Sequence, residues 1–194
     1  MCHFPYHAGV SARDTRLVVL VKHAQPVLDA EAPPREWRLS AEGEAQSAQL
    51  AERLRAFVPL ALVSSKQPKA RATAAIVADV LGVQHHVLNG LEEFDRPAMP
   101  ILSPDEHDRV NAVLFAERSR PVLGRESADA ALERFDAAIA RALATTDPSH
   151  TLVVIAHGTV IALFVERYTG REAIEVWRGL RCADYVTVAV TENG

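Results

Sequence analysis

Two apolar segments of this chain, far apart in sequence, each run directly into a histidine. Residues 17–21 (LVVLV) precede Lys22 and His23, and residues 151–156 (TLVVIA) precede His157. Short runs this apolar are typical of strands buried on both faces of a parallel sheet. Open α/β sheets bind their ligands just beyond the carboxyl ends of the strands. If the two strands are neighbours, the histidines face one another across one pocket, which indicates a site rather than a purely structural pattern.

Strand-like and helix-like patterns alternate along the rest of the chain. The pattern predicts further strands at 60–63, 83–88 and 185–190. It predicts helices that follow the N-cap Ser40 and that span 69–81, 127–143 and 159–168, with a short helix near 105–117. This alternation favours an α/β fold, a three-layer α/β/α sandwich around a mostly parallel sheet. Residues 94–124 are predicted to form a lid or excursion over the pocket rather than a second domain.

Length, charge and cysteine content narrow the class of protein. The 194 residues fit a single domain, residues 1–194, with a sizeable core. A net charge of −4 gives no reason to expect a nucleic acid or an anionic membrane as partner. The N-terminal residues lack the basic and apolar regions of a secretory signal, and two cysteines are no disulfide framework. We therefore expect a cytoplasmic enzyme.

The strand-end histidines have two interpretations. A neutral imidazole attacks phosphorus readily and titrates near neutral pH, whereas a histidine at a strand end can also be a hydrogen-bonded structural residue. Thr159, after His157, begins a predicted helix whose N–H groups could receive an anion. The polar loop 64–68, which carries Lys66 and precedes Lys69, is a second candidate anion site or a solvated loop.

Acidic and metal-ligating residue types are also present near the predicted strand ends. Glu92 or Glu93 could protonate a departing alkoxide, although both could equally be exposed acids in a turn. The His85–His86 pair and the Cys2, His3 and His7 group give no complete ligand set at a structural spacing. We expect no metal and no cofactor. A dinucleotide-binding protein is disfavoured because no Gly-x-Gly-x-x-Gly follows the first strand.

Six short motifs, in the same order, resemble those of the histidine phosphatase superfamily, the phosphoglycerate mutase-like enzymes. They are VKHA at 21–24, LSAEG at 39–43 with Gln46, SSKQPKA at 64–70 with Thr73, LEE at 91–93, GRES at 124–127 and AHG at 156–158. The resemblance covers roughly residues 17–190. It selects the second glutamate of LEE, Glu93, over Glu92.

The resemblance implies a phosphomonoester hydrolase that works through a phosphohistidine on His23. Glu93 is then the general acid, and Lys22, Lys69 and His157 hold the phosphoryl group. Because protein cations supply the charge, the chemistry needs no metal. The expected partner is a small phosphorylated substrate or a phosphoprotein.

Departures from the family pattern keep two alternatives open. Lysines 22 and 69 stand where the family has phosphate-clamping arginines, and lysine lacks the bidentate guanidinium. A degenerate module that binds phosphate without turnover is one alternative, and a mutase-type phosphotransferase is the other. The short segment 94–124 favours hydrolysis over transfer. Asp29 stands where the family often has asparagine, and Arg96, Arg118 and Arg120 could bind an anionic substrate or lie on the surface.

Overall fold

The computed structural model describes residues 15–98 and 100–191, and within them the chain forms a sheet of five strands and six α-helices. The strands are β1 (Thr15–Lys22), β2 (Leu60–Ser65), β3 (His85–Leu88), β4 (Thr151–Ala156) and β5 (Tyr185–Thr191). The helices are α1 (Ala41–Leu54), α2 (Pro68–Leu81), α3 (Pro104–Ala116), α4 (Ala128–Thr145), α5 (Gly158–Thr169) and α6 (Ala173–Gly179). Across the described ranges, no helix is long and apolar enough to cross a membrane.

The order of the strands brings the two histidines together. The sheet runs β3-β2-β4-β1-β5, with β5 antiparallel to β1 and the other pairs parallel. β1 and β4 are therefore neighbours, and Lys22 pairs with Ala156 at the carboxyl end of both strands. His23 and His157, which follow these two residues, start from the same edge of the sheet. The predicted α/β fold with a mostly parallel sheet is confirmed.

Each face of the sheet has its own apolar core. On one face, Leu20 and Val154 pack with Phe135 of α4 and Phe164 of α5. On the other face, Val19 packs with Leu50 of α1 and Val77 of α2. Helices thus cover both faces, as the predicted three-layer sandwich requires.

Three details of the predicted elements were wrong. Ser64 and Ser65, interpreted as loop, continue β2 and pair with Val87 and Leu88 of β3, because neighbouring strands satisfy their backbone groups. β3 begins at His85, two residues later than expected. α6 was missed, since a seven-residue helix gives too little periodicity to recognise.

The segment 94–124 contains the predicted helix, here α3, and a coil on each side of it. Ser103 caps α3 in a capping box with Glu106, which fixes where the helix begins. Leu114 buries the inner face of α3 in the core, while Asp108 forms an ion pair with Arg178 of α6 at 2.6 Å. The segment is therefore attached to the main body at both its apolar and its polar face.

Candidate active site

The two strand-end histidines lie against each other in a buried pocket. The ring centroids of His23 and His157 are 5.1 Å apart, and the residues are 7% and 1% exposed. Parallel pairing of β1 with β4 sets this distance, since each ring extends from the residue after a paired position. The arrangement predicted from the two apolar runs is present.

The hydrogen bond that His23 makes fixes which ring nitrogen is available. Nδ1 lies 2.8 Å from the carbonyl oxygen of Ala24, and a carbonyl only accepts, so Nδ1 carries the proton. Nε2 is then left with its lone pair. Burial, together with the charges of Lys69 and Lys22, lowers the pKa of His23 to about 3. His23 is therefore neutral at physiological pH, which is the form that a nucleophile needs.

Thr73 of α2 holds the backbone just after His23. Its hydroxyl accepts from the Ala24 N–H at 3.1 Å and donates to the Lys69 carbonyl at 2.8 Å. The residue is fully buried. One side chain thus links the turn that orients His23 to the helix turn that carries Lys69.

Residues at the start of α1 hold the next position of the same loop. Ser40 donates its hydroxyl to the Gln25 carbonyl at 2.8 Å, and Gln46 accepts from the Gln25 N–H at 3.0 Å. A Cβ on Gly43 would lie 2.2 Å from that carbonyl oxygen, so only glycine permits this close approach. The LSAEG motif and Gln46 therefore position the loop beyond His23 rather than contact a ligand.

His157 has one ring nitrogen bound and one without a partner. Nε2 lies 2.9 Å from the hydroxyl of Ser65, which also accepts from the Gln67 N–H at 3.3 Å. Nδ1 is buried and has no hydrogen-bond partner within the described ranges. Burial lowers the pKa of His157 well below its usual value, and Lys69 and His23 lower it further. A buried donor or acceptor without a partner is costly, so this nitrogen is a candidate ligand contact.

Lys69 is a buried cation in the first turn of α2. It is 4% exposed, and its Nζ donates to the carbonyl of Pro34 at 2.5 Å and to Oε1 of Gln67 at 3.0 Å. Its pKa is lowered to about 8, mainly by burial; the charge of Glu93 opposes this shift and the charge of Arg96 adds to it. The Trp37 ring centroid lies 5.9 Å from Nζ.

The other two lysines have different surroundings. Lys22 donates to the Leu180 carbonyl at 3.0 Å, and a Cβ on Gly158 would lie 3.4 Å from its Nζ. Lys22 therefore passes beside the turn that follows His157. Lys66 is exposed and forms an ion pair with Glu92 at 3.0 Å.

The structure separates the two adjacent glutamates. Glu92 accepts from the Gly90 N–H at 2.7 Å and forms the ion pair with Lys66. Glu93 instead turns toward α5: its Oε2 accepts from the Thr159 N–H at 3.0 Å and its Oε1 from the Phe94 N–H at 3.1 Å. The helix N–H predicted to receive a ligand anion is therefore occupied by a carboxylate of the chain itself. Glu93 therefore lies next to the first turn after His157.

Arg134 of α4 is a positioning residue that the sequence reasoning missed. Its guanidinium donates to the carbonyls of Gly90 and Glu92 at 3.0 and 2.6 Å and pairs with both carboxylate oxygens of Glu126 at 2.9 and 2.6 Å. It thus holds the turn that carries Glu93. Its backbone partners are 44 and 42 residues earlier in the chain, so no local pattern points to it.

The remaining candidate residues do not all reach the pocket. Arg118 forms ion pairs with Asp129 and Glu166, and Arg120 forms one with Glu117. Both arginines are therefore engaged by acids of the chain itself. Asp29 is exposed, and its carboxylate accepts from the Glu31 N–H at 2.9 Å. Only Arg96 of the three arginines lies on the side of the pocket.

Metal-ligating side chains do not cluster in the described part of the chain, at His85–His86 or elsewhere. The Cys2, His3 and His7 group lies outside the described residues.

Solved structures with the same architecture include proteins described as phosphatases or hydrolases. They include a mycobacterial hydrolase (TM-score 0.73, 22% identity, 92% of each chain covered). Others are a mycobacterial glucosyl-3-phosphoglycerate phosphatase (TM-score 0.70, 21% identity, 90% of each chain) and a candidate alpha-ribazole-5'-P phosphatase from Escherichia coli (TM-score 0.66, 19% identity, 91% of each chain). At these identities the likeness is one of fold.

No functionally curated protein matches the sequence significantly. A family model does: that of the histidine phosphatase superfamily, branch 1, matches residues 18–194. The match begins inside β1, ahead of His23, and extends past β5, so it includes both strand-end histidines and the motifs between them. The chain belongs to the histidine phosphatase superfamily.

Proposed function

We propose that the protein hydrolyses phosphomonoesters in two steps through a phosphohistidine on His23. In the first step Nε2 of His23 attacks phosphorus, the bond from phosphorus to the ester oxygen breaks, and Glu93 gives its proton to the departing oxygen. In the second step water attacks the phosphohistidine while Glu93 takes a proton from that water. Inorganic phosphate leaves, and His23 is again neutral.

One observation carries this proposal: the state in which the fold holds His23. Its Nδ1–H is committed to the Ala24 carbonyl at 2.8 Å, and burial with two nearby lysines keeps the ring neutral. A buried histidine with a purely structural role uses both of its nitrogens, whereas Nε2 of His23 makes no hydrogen bond to any described residue. The lone pair is therefore oriented by the backbone and left to attack.

The groups around His23 suit the charge that develops on the phosphoryl oxygens. Lys22 and Lys69 now donate to carbonyls of Leu180 and Pro34, and a phosphoryl group between them would take over these donors. The unpartnered Nδ1 of His157 can donate to a third oxygen when the Ser65 hydroxyl donates to Nε2. Buried, pre-oriented donors of this kind stabilise a transition state more than exposed ones do. Since these cations supply the charge, we propose a reaction without a metal ion.

The proposed partner is a small phosphorylated molecule or a phosphoprotein, met in the cytoplasm, and neither a nucleic acid nor a membrane is part of the proposal. We also propose that residues 1–194 form a single domain in which residues 94–124 cover the pocket.

Hydrolysis of phenyl phosphate in excess chelator tests the proposal, with the native protein, His23→Ala and His86→Ala compared. His86 is an exposed histidine on β3, so its replacement controls for the loss of an imidazole. We expect chelator-resistant turnover in the native protein and in His86→Ala, and a loss of about a thousandfold or more in His23→Ala. Acid-labile phosphate should be trapped on the native protein and on His86→Ala, but not on His23→Ala.

Equal activity in all three proteins would exclude His23 as the nucleophile. Binding of phosphate without turnover or trapped phosphohistidine would instead identify the degenerate module. Transfer of the phosphoryl group to an added alcohol in preference to water would identify a mutase-type enzyme.

A further inference from the structure

A small cavity of about 130 Å³ adjoins the phosphate pocket. It lies between the loop after β1 and the segment before α3, and its lining includes Pro34, Trp37, Arg96, Ile101 and His107. Pro34 and Trp37 also contact Lys69, through the Pro34 carbonyl at 2.5 Å and the Trp37 ring at 5.9 Å. The two sites therefore share a wall, and a group bonded to a phosphoryl oxygen at Lys69 could extend into this cavity.

Arg96 in this cavity has no hydrogen bond or ion pair with any described residue, and its Nε is buried. The acid next to it, Asp95, is engaged elsewhere, with Arg35 at 2.6 Å. A buried N–H without an acceptor is costly, and of the Arg96 nitrogens Nε is the buried one that lacks a partner. In a pocket wall, a ligand is the group that can restore them.

The charge of Arg96 is felt inside the active site. Burial is the main cause that lowers the pKa of Lys69, of His157 and of His107, and the charge of Arg96 lowers each of them further. Lys22 and Lys69 already match the two negative charges of a phosphomonoester dianion. Arg96 is a third cation on the same side, and it matches a further negative charge on the substrate.

The rest of the cavity is apolar. Leu28 and Ile101 are 49% and 45% exposed on its rim, and Trp37 and Leu102 complete the wall. A protein cavity of about 150 Å³ accommodates a benzene molecule; this one, at about 130 Å³, is slightly smaller, but its exposed rim lets a group of about that size extend beyond it. His107 is held edge-on against Trp177, with ring centroids 5.1 Å apart, which keeps its ring in the wall.

We propose that this cavity is the leaving-group subsite, and that the substrate is a small phosphomonoester whose leaving group joins an apolar part about the size of one ring to a second oxyanion held by Arg96. That oxyanion is a carboxylate or another phosphate, both of which accept the paired N–H groups of a guanidinium. The proposal rests on the proposed function, because it takes the phosphoryl group to lie at Lys69.

Binding of non-hydrolysable phosphonates tests the subsite without requiring turnover. The ligands are benzylphosphonate, its three ring-carboxylated isomers and its three ring-phosphonomethyl isomers. Calorimetry gives their dissociation constants for the native protein, for Arg96→Met and for Arg120→Met. Arg120 is the matched control because it is an exposed arginine paired with Glu117 on the same segment.

We expect at least one doubly anionic isomer to bind the native protein about tenfold or more tightly than benzylphosphonate, as a hydrogen-bonded charge pair would give. Arg120→Met should keep that ratio, and Arg96→Met should bring it close to one. The series that binds more tightly identifies the oxyanion. Arg96→Lys keeps the charge and covers the case in which the methionine variant fails to fold; it should retain part of the ratio.

Two results would overturn the subsite. In the first, no doubly anionic isomer binds more tightly than benzylphosphonate. In the second, the affinity ratio of the native protein persists in Arg96→Met. An equal loss of affinity for all seven ligands would also overturn it, because Arg96 would then hold the transferred phosphoryl group. The proposed function fails separately. If the affinity ratio depends on Arg96 but the protein hydrolyses no ester and traps no phosphohistidine, the subsite proposal stands and the proposed hydrolase function is wrong.

Discussion

Two regions border the pocket, and they are built differently. The floor, which we define as the residues that follow β1 and β4 together with the first two turns of α2, is largely buried, and its side chains hold backbone groups. His23, Lys69 and Thr73 each make hydrogen bonds to main-chain atoms. The cover, residues 94–124, has one capped helix, an exposed apolar side chain at Ile101 and an arginine, Arg96, that no described residue pairs with.

The difference separates chemistry from selectivity. In the proposed reaction, a floor of buried side chains held by the backbone needs less reorganisation than solvent does when charge develops on phosphorus. In the proposed subsite, a cover made largely of coil, with Arg96 lining the cavity, contacts the part of the substrate that differs between esters. Changes in the floor should therefore affect turnover of every ester, and changes in the cover should affect the choice among esters.

The largest effect is expected when the buried cation of the floor is removed. Lys69→Met should lower kcat/KM for phenyl phosphate by about 100- to 1000-fold, the cost of one pre-oriented donor. Lys66→Met is the matched control, since Lys66 is exposed and pairs with Glu92; its effect should stay below about threefold. Steady-state kinetics measure both. Equal effects of the two variants would contradict the distinction between the buried and the exposed lysine.

The pH dependence of the floor tests the same lysine without removing it. The pKa of Lys69 is lowered to about 8, so the side chain is cationic below that pH and loses its charge above it. We expect kcat/KM, which reports the free enzyme, to fall as the pH rises through about 8. His23, with a pKa of about 3, stays neutral throughout this range.

Lys69→Arg should move this alkaline decrease beyond about pH 10, because arginine stays charged. An unchanged decrease in the arginine variant would assign it to a different group. A native profile without any decrease up to that pH would show that Lys69 does not act as a charge in the free enzyme.

A smaller effect is expected from the hydroxyl that joins the floor together. Thr73→Val leaves the buried Ala24 N–H without its acceptor, which should lower the free energy of unfolding by about 1–3 kcal/mol. Because the carbonyl of Ala24 orients His23, kcat should fall too. Urea unfolding and kinetics measure the two effects. The control is Thr145→Val, at an exposed threonine that ends α4. It should change the free energy of unfolding by no more than about 0.5 kcal/mol and should leave kcat essentially unchanged.

The smallest effect on turnover is expected at the end of the cover. A Cβ on Gly124 would lie 2.3 Å from the carbonyl oxygen of Asp95, so Gly124→Ala must displace the backbone next to Arg96. We expect KM for a carboxylated aryl phosphate to rise about three- to tenfold with kcat for phenyl phosphate within about twofold. Gly179→Ala is the control, since a Cβ there would meet no described atom within 4 Å. A loss of kcat as large as that of the floor variants would contradict the functional distinction between the floor and the cover.

The floor could be predicted from the sequence to a large extent. The apolar runs before His23 and His157 indicated the strands, and a strand that ends on a histidine places it at the carboxyl edge. Ser40 was recognised as an N-cap, and its side chain accepts from the Gly43 N–H. These features are local, and local propensity and spacing suffice to find them.

The cover and the supports of the site could not be predicted in this way. The sequence left Arg96, Arg118 and Arg120 equivalent, and only the pairing of Arg118 and Arg120 with acids separates them from Arg96. Arg134 holds the Glu93 turn through carbonyls more than 40 residues away in the chain. The Thr159 N–H, predicted to be free for a ligand, is occupied by Glu93.

Fold class, strand ends and the residue types of the site follow from the order of the amino acids, because each depends on a short window of the chain. Three properties of the site follow from packing instead: His23 is neutral with Nε2 available, Lys69 is buried whereas Lys66 is not, and Arg96 faces a cavity. They depend on desolvation and on charges that lie far apart in the chain and close in space, and only the packed fold sets them.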